Sequence, residues 1–197
     1  MEISKDKYYT PEEYFAIVED SQEKYEYHEG KLYNMAGGTS DHSAISANAI
    51  IALGNALSEK DCIVYTSDQQ VVIHSQKRYV YPDVSVVCGE PEHEDEKKIR
   101  LTNPKLIVEV LSEGTIDYDR SDKFHLYCKI PSFQEYLLIH SNRVLVETYY
   151  RKESGSWSIS SAFKLADTIH LYSLDLDLSV KDIYKKIKGL PEGIREY

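Results

Sequence analysis

A chain of 197 residues with 42% hydrophobic and 28% charged positions is long enough for one well-buried domain and short for two. Its 33 acidic against 23 basic residues give a net charge of −10, which repels a polyanion and argues against broad electrostatic binding of nucleic acid, while leaving room for a site that concentrates carboxylates or a metal. The apolar stretches are strand-sized, far short of the roughly 20 residues of a membrane span, and no secretory h-region follows Met1. Cys62, Cys88 and Cys128 are an odd number without a C-x-x-C pair, so neither a disulfide framework nor a thiolate zinc cluster has a sequence basis, and a reducing cytoplasm is the expected setting.

In chain order, Thr10-Pro11-Glu12-Glu13 places a hydroxyl at an N-cap, proline at the first helical position and a carboxylate three residues after the cap, predicting a short helix to about Asp20. Tyr25 to His28 and Lys31 to Met35 flank Glu29-Gly30, two β-prone runs across a two-residue turn, and predict a hairpin. From Ser40 to Leu57 apolar residues recur at three and four, with small alanines that allow close approach to a sheet; this is the first major helix. Extended segments follow at 62–66 with 70–74, at 79–88 and at 106–111, with a hairpin loop at 75–78. The acidic stretch 89–103 reads as an exposed excursion. A second helix is expected from about Ser121 to Lys129, ended by Pro131, then strands at 135–140, 144–150 and 157–163, an alternating Leu174 to Leu178, and a final helix near 180–187. The fold class is α/β or α+β: a central mixed sheet flanked by helices, with antiparallel additions at both ends, in one domain over 1–197.

Leu106-Ile107-Val108-Glu109-Val110-Leu111 is an apolar run with one carboxylate in its middle. A charge in a central strand costs several kcal/mol unless it is paired or bound to metal, so Glu109 needs a partner unless its strand lies at an edge and faces water. In Tyr81-Pro82-Asp83-Val84 the proline has no N–H for a ladder, and Asp83 enters a β-branched run. Alone it reads as a turn aspartate; with a carboxylate 26 residues later in a neighbouring strand it forms a candidate site for Mg²⁺, which uses few protein carboxylates. Lys123 falls in the first turn of the second helix and leans toward the end of the Glu109 strand; equally, Asp119 and Lys123 are spaced as a solvated helical ion pair. His42, near the start of the first major helix, is either a phosphate contact or a packing residue, and no other histidine has an H-E-x-x-H spacing.

Pro82-Asp83, Glu109 in an apolar strand and a lysine on the following helix resemble the PD-(D/E)XK nuclease superfamily. More narrowly, Lys24-Tyr25-Glu26, Glu29-Gly30, Met35-Ala36-Gly37, Asp41-His42, Tyr81-Pro82-Asp83-Val84, Asn103 to Ser112, Tyr118 to Lys123 and Glu135-Tyr136-Leu137-Leu138 resemble the bacterial Uma-type, restriction-endonuclease-like family. The resemblance covers roughly residues 10 to 150 and implies a nuclease core at about 40–140. It implies Asp83 and Glu109, with the carbonyl of Val110, as holders of Mg²⁺ or Mn²⁺. It further implies Lys123 as the residue that orients water or neutralises charge and Glu26 at the edge of the same site; His42 stays a candidate substrate contact on its residue type and its place at a helix start. The superfamily pattern places lysine two residues after the strand acid, where this chain has Leu111; the Uma-type pattern shares the shift to Lys123. The expected activity is metal-dependent hydrolysis of DNA phosphodiester bonds by a cytoplasmic homodimer. The alternative is a non-catalytic binding module that keeps the fold, which the absence of a basic stripe favours. A metal-free Ser or Cys hydrolase lacks a G-x-S-x-G elbow.

Overall fold

The computed structural model describes residues 7–35, 37–112, 114 and 116–193; Ala36 of the Met35-Ala36-Gly37 block lies outside them. Helix α1 spans Pro11–Asp20 and begins with a full capping box, in which the Glu13 N–H donates to Thr10 Oγ1 (3.2 Å) and the Thr10 N–H to Glu13 Oε2 (2.9 Å). Strands β1 (Tyr25–His28) and β2 (Lys31–Asn34) form the predicted hairpin. Its two turn residues have φ of 50° at Glu29 and 97° at Gly30, and a Cβ on Gly30 would lie 2.9 Å from Tyr8 Cδ1, so glycine is needed both for the turn and for the seat of Tyr8. Helix α2 (Ser40–Ala56) is capped by Thr39 and buries Ile45, Ala49 and Leu53.

Strands β3 (Cys62–Thr66), β4 (Gln70–Ile73), β5 (Arg78–Val80), β6 (Val84–Cys88), β7 (Arg100–Leu101) and β8 (Leu106–Leu111) divide between two sheets. The segment read as one strand over 79–88 is two. Pro82 breaks the ladder, and the chain leaves a five-stranded sheet (order β2-β1-β5-β4-β7) to enter a six-stranded one. The latter runs β11-β10-β9-β8-β6-β3, with β9 (Glu135–His140), β10 (Val146–Arg151) and β11 (Trp157–Ala162). Its β8–β9 pair is parallel and its other pairs antiparallel, the expected mixed sheet. A small hairpin, β12 (Thr168–Leu171) with β13 (Leu176–Ser179), and helix α5 (Val180–Ile183) complete the fold.

Alternation along β8 sends Val108 and Val110 to one face, where they pack against α2, α5 and the β12–β13 hairpin, and Ile107 and Leu111 to the other, against β4, β5 and the aromatic residues Tyr127, Phe133 and Tyr136. Helix α1 covers the five-stranded sheet by packing Tyr14 against Tyr27 of β1 and Tyr79 of β5.

Three expectations are corrected. The helix placed at 121–129 starts earlier and is irregular: α3 (Ile116–Tyr118), a π-helical turn (Asp119–Lys123) and α4 (Phe124–Tyr127). The excursion 89–103 is not wholly exposed, because Leu101 is fully buried in β7 beside β4. Cys62 and Cys88 face each other in the β3–β6 register and form a disulfide, leaving Cys128 free, so counting cysteines by spacing failed where strand pairing brought two together. That bridge removes the cysteine argument for a reducing compartment; no described helix is long and apolar enough to cross a membrane.

Candidate active site

The site forms where β6 and β8 part company. Their ladder ends at the Val84–Val108 pair, which sets Asp83 across from Glu109. Because the chain turns away at Pro82, the Asp83 side chain substitutes for the missing strand: its Oδ2 accepts the Val110 N–H at 2.8 Å. The same oxygen lies 3.4 Å from His42 Nε2 at the start of α2. Gly38 makes room for that ring, since a Cβ there would come within 2.7 Å of His42 Nδ1. The contact with Asp83 raises the His42 pKa against the effect of burial, and the charge of Asp83 and the Val110 carbonyl add to the rise.

Glu109 does not lie on an edge strand: β8 runs between β6 and β9, and the residue is 4% exposed. Its partner is Lys123, whose Nζ is 2.7 Å from Glu109 Oε1 and 3.5 Å from Asp119 Oδ1. Asp119 and Lys123 are 5% and 7% exposed, so the solvated-pair reading of their spacing is wrong. The Tyr127 hydroxyl also donates to Glu109 Oε1, at 2.7 Å. Burial pushes the Glu109 carboxyl up to about 8; Lys123 opposes the rise, and Asp83 and Asp119 add to it. Its Oε1 receives two donors, the Lys123 ammonium and the Tyr127 hydroxyl. Burial favours deprotonation of Lys123, but the charges of Glu109, Glu26 and Asp119 outweigh it, and the side chain stays an ammonium.

Glu26 sits at the edge of this group. One carboxylate oxygen accepts the Tyr81 N–H at 3.0 Å and the other meets His28 Nε2 at 2.9 Å. Burial would raise its pKa, but His28, the Lys123 charge and the Tyr81 N–H together hold it below the ordinary carboxylate value. Asp83, Glu109, Lys123, His42 and Val110 are thus in direct or relayed contact, while Glu26 acts on Lys123 through its charge. Tyr127 and His28 were not singled out as site residues in the sequence. Tyr127 was within reach of the reasoning, because it lies four residues from Lys123 on the same helical face.

Carboxylates of Asp83 and Glu109 and the Val110 carbonyl form an all-oxygen set. Among the described residues no group of three or more His, Cys, Asp or Glu is placed to hold a metal. A sparse oxygen set fits a hard ion such as Mg²⁺ that completes its shell with water and substrate, and does not fit zinc.

A solved structure from Anabaena variabilis, described as a putative nuclease belonging to DUF820, superposes with a TM-score of 0.71 at 20% identity, covering 89% of this chain and 97% of that one. The likeness is one of fold, and the class is restriction-endonuclease-like. Within it the sequence is decisive: residues 11–181 match Uma2, described as "Putative restriction endonuclease", and the chain belongs to that family. Two relatives from Synechocystis carry the names uncharacterized protein slr1290 (38% identical, 89% of this chain and 91% of that one) and uncharacterized protein sll1609 (32% identical, 81% and 90%).

Proposed function

We propose that this chain is a Mg²⁺- or Mn²⁺-dependent endonuclease that hydrolyses DNA phosphodiester bonds. The observation that carries the reading is the buried Glu109–Lys123 pair set across a strand junction from Asp83. Such a pair is a poor stability device, since apolar residues of similar volume usually do as well, and it is suited to binding charge. Asp83, Glu109 and the Val110 carbonyl would hold the ion, which supplies polarisation of the phosphoryl oxygen and a more acidic water. Lys123 donates to the charge that develops on the phosphoryl group and fixes the orientation of Glu109. Tyr127 holds that same carboxyl from behind. His42 keeps the Asp83 carboxylate turned toward Val110 and presents a donor to a phosphate oxygen. Glu26 keeps Lys123 protonated.

The test is incubation of the protein with supercoiled, linear and single-stranded DNA under Mg²⁺ and Mn²⁺, beside Asp83→Ala and Glu109→Ala variants shown by circular dichroism to fold. Cleavage by the parent, lost in both variants, is the expected result. Failure to cleave any substrate would move the assignment to a binding module that keeps the fold.

A further inference from the structure

Beside the catalytic group lies a cleft of about 850 Å³ between the β1–β2 hairpin and the helical segment that carries Lys123. We infer that this cleft binds a single strand of the nucleic acid and feeds it to the carboxylates, which deepens the endonuclease reading and rests on it. The volume falls in the range of small-molecule sites, about 300–1,000 Å³, enough for a short piece of one strand and too little to admit a double helix. Cations are set around it from three separate elements: Lys31 on β2, Arg78 on β5 and Lys129 beyond α4. Arg78 approaches His28 Nδ1 at 3.2 Å and pairs with Glu29 Oε2 at 3.8 Å, and its buried Nε has no hydrogen-bond partner among the described residues. Tyr8 and Tyr33, 69% and 52% exposed, line the mouth, and Tyr118 lines the cleft beside them. Lys31 Nζ sits over the Tyr8 ring at 4.0 Å and His28 packs on the Tyr33 ring at 4.7 Å, so each ring has one face taken and offers its other to a base. Cations along a groove with such rings are the equipment for single strands, because every base has a face to stack while duplex bases are already stacked.

The cleft borders the site through two of its lining residues. Glu26 lines it and accepts the Tyr81 N–H one residue before Pro82-Asp83, and Asp122 lines it one residue before Lys123. Glu26, Glu29 and Asp122 also line the cleft, so its charge is nearly balanced. Affinity therefore comes from stacking and a few phosphate contacts rather than a strong field, which is how a chain of net charge −10 can hold a polyanion. A single-strand substrate also needs no second active site, so the dimer expected for cutting both strands of a duplex is not required.

The experiment is fluorescence anisotropy in EDTA, where no metal-dependent cleavage occurs, using a short labelled oligothymidylate, the matching oligouridylate, and the oligothymidylate annealed to its complement. The parent should bind a single strand at least fivefold tighter than the duplex, with a log-log salt slope of about −2 for three cations. The two single-stranded arms tell DNA from RNA, and binding of either supports the inference. Tyr33→Ala should weaken single-strand binding about fivefold or more, and Lys31→Ala/Lys129→Ala should bring the slope toward about −0.7. Equal affinity for duplex, no binding by the parent, or folded variants that bind as the parent does would overturn it. Binding in EDTA and cleavage under Mg²⁺ or Mn²⁺ are read separately, so a parent that binds the strand and cuts nothing supports this inference and overturns the enzyme reading.

Discussion

Replacing Lys123 by methionine probes the central electrostatic claim. The side chain is 7% exposed and is the cation facing Glu109 at 2.7 Å and Asp119 at 3.5 Å. Removing one partner of a buried pair costs about 3–5 kcal/mol. The low end applies here near pH 7, because Glu109, whose pKa burial already pushes up to about 8, can answer by taking up a proton. For a domain of this size about 3 kcal/mol corresponds to a fall in Tm of about 6–12 °C. The pH dependence is more diagnostic than the size. A carboxyl raised in the fold above its ordinary 4.5 contributes stability that is complete below that value and is lost as pH rises through about 8. Without the ammonium the carboxyl must hold its proton to still higher pH, so the gap between parent and variant should widen between pH 6 and pH 9. Adding Glu109→Gln to Lys123→Met should close much of that widening, since the buried charge is then gone. Urea denaturation followed by circular dichroism at several pH values measures all three proteins. A loss below about 1 kcal/mol at pH 7, or a gap that does not change with pH, would show that the pair is screened as surface pairs are and refute the reasoning.

Mn²⁺ binding should tighten as pH rises toward about 8, because the ion competes with the proton that burial favours on Glu109; calorimetry at several pH values measures it, and Asp83→Ala should remove the binding heat. The Cys62–Cys88 bridge closes a loop of 26 residues and should be worth about 3.5 kcal/mol by loop entropy, so Cys88→Ser should lower Tm by about 7–14 °C; an unchanged melting curve would mean the bridge does not form in solution. His140 is 1% exposed, and burial with the Arg143 and Arg120 charges pushes its pKa down from 6.5 to about 4. Its neutral form is the folded one, so stability should be lost as pH falls from 6.5 toward 4, by about 3 kcal/mol, and His140→Gln should flatten that part of the profile.

Features written in local chemistry were legible in the sequence. The Thr10 capping box and the Glu29-Gly30 turn specify their elements through contacts a few residues apart and formed where expected; the helical spacing from Ile45 gave α2, but the stripe expected through Ala52 and Ala56 runs instead through Ile45, Ala49 and Leu53, with Ala56 exposed. Glu109 was legible for a different reason: a carboxylate inside an apolar strand is an anomaly wherever the strand lies. What failed needed distant partners. Cys62 and Cys88 pair only because β3 and β6 pair, Leu101 is buried only because β7 finds β4, and the change of sheet at Pro82 depends on where β5 and β6 find neighbours. The Asp119–Lys123 spacing misled because an i, i+4 pair looks the same whether its helix faces water or the floor of a site.

The shift of the lysine from strand to helix has a physical reading in the packing. Position 111, two residues after Glu109, shares its face of β8, and there Leu111 is 2% exposed among Tyr127, Phe133 and Tyr136. A lysine at 111 would end among these rings, whereas the helical layer already stands over Glu109 and can lower a cation onto it. The π-helical turn does this by carrying Lys123 to Glu109 together with Tyr127 four residues on, and the Tyr136 hydroxyl fastens the turn by donating to the Asp119 carbonyl at 3.1 Å. The aromatic packing that excludes lysine from the strand is therefore what positions it from above. The acidity that argues against a polyanion is also divided by place. Asp83 and Glu109 stand at the strand junction, where Lys123 answers the buried carboxyl, and in the cleft beside it Glu26, Glu29 and Asp122 are matched by Lys31, Arg78 and Lys129.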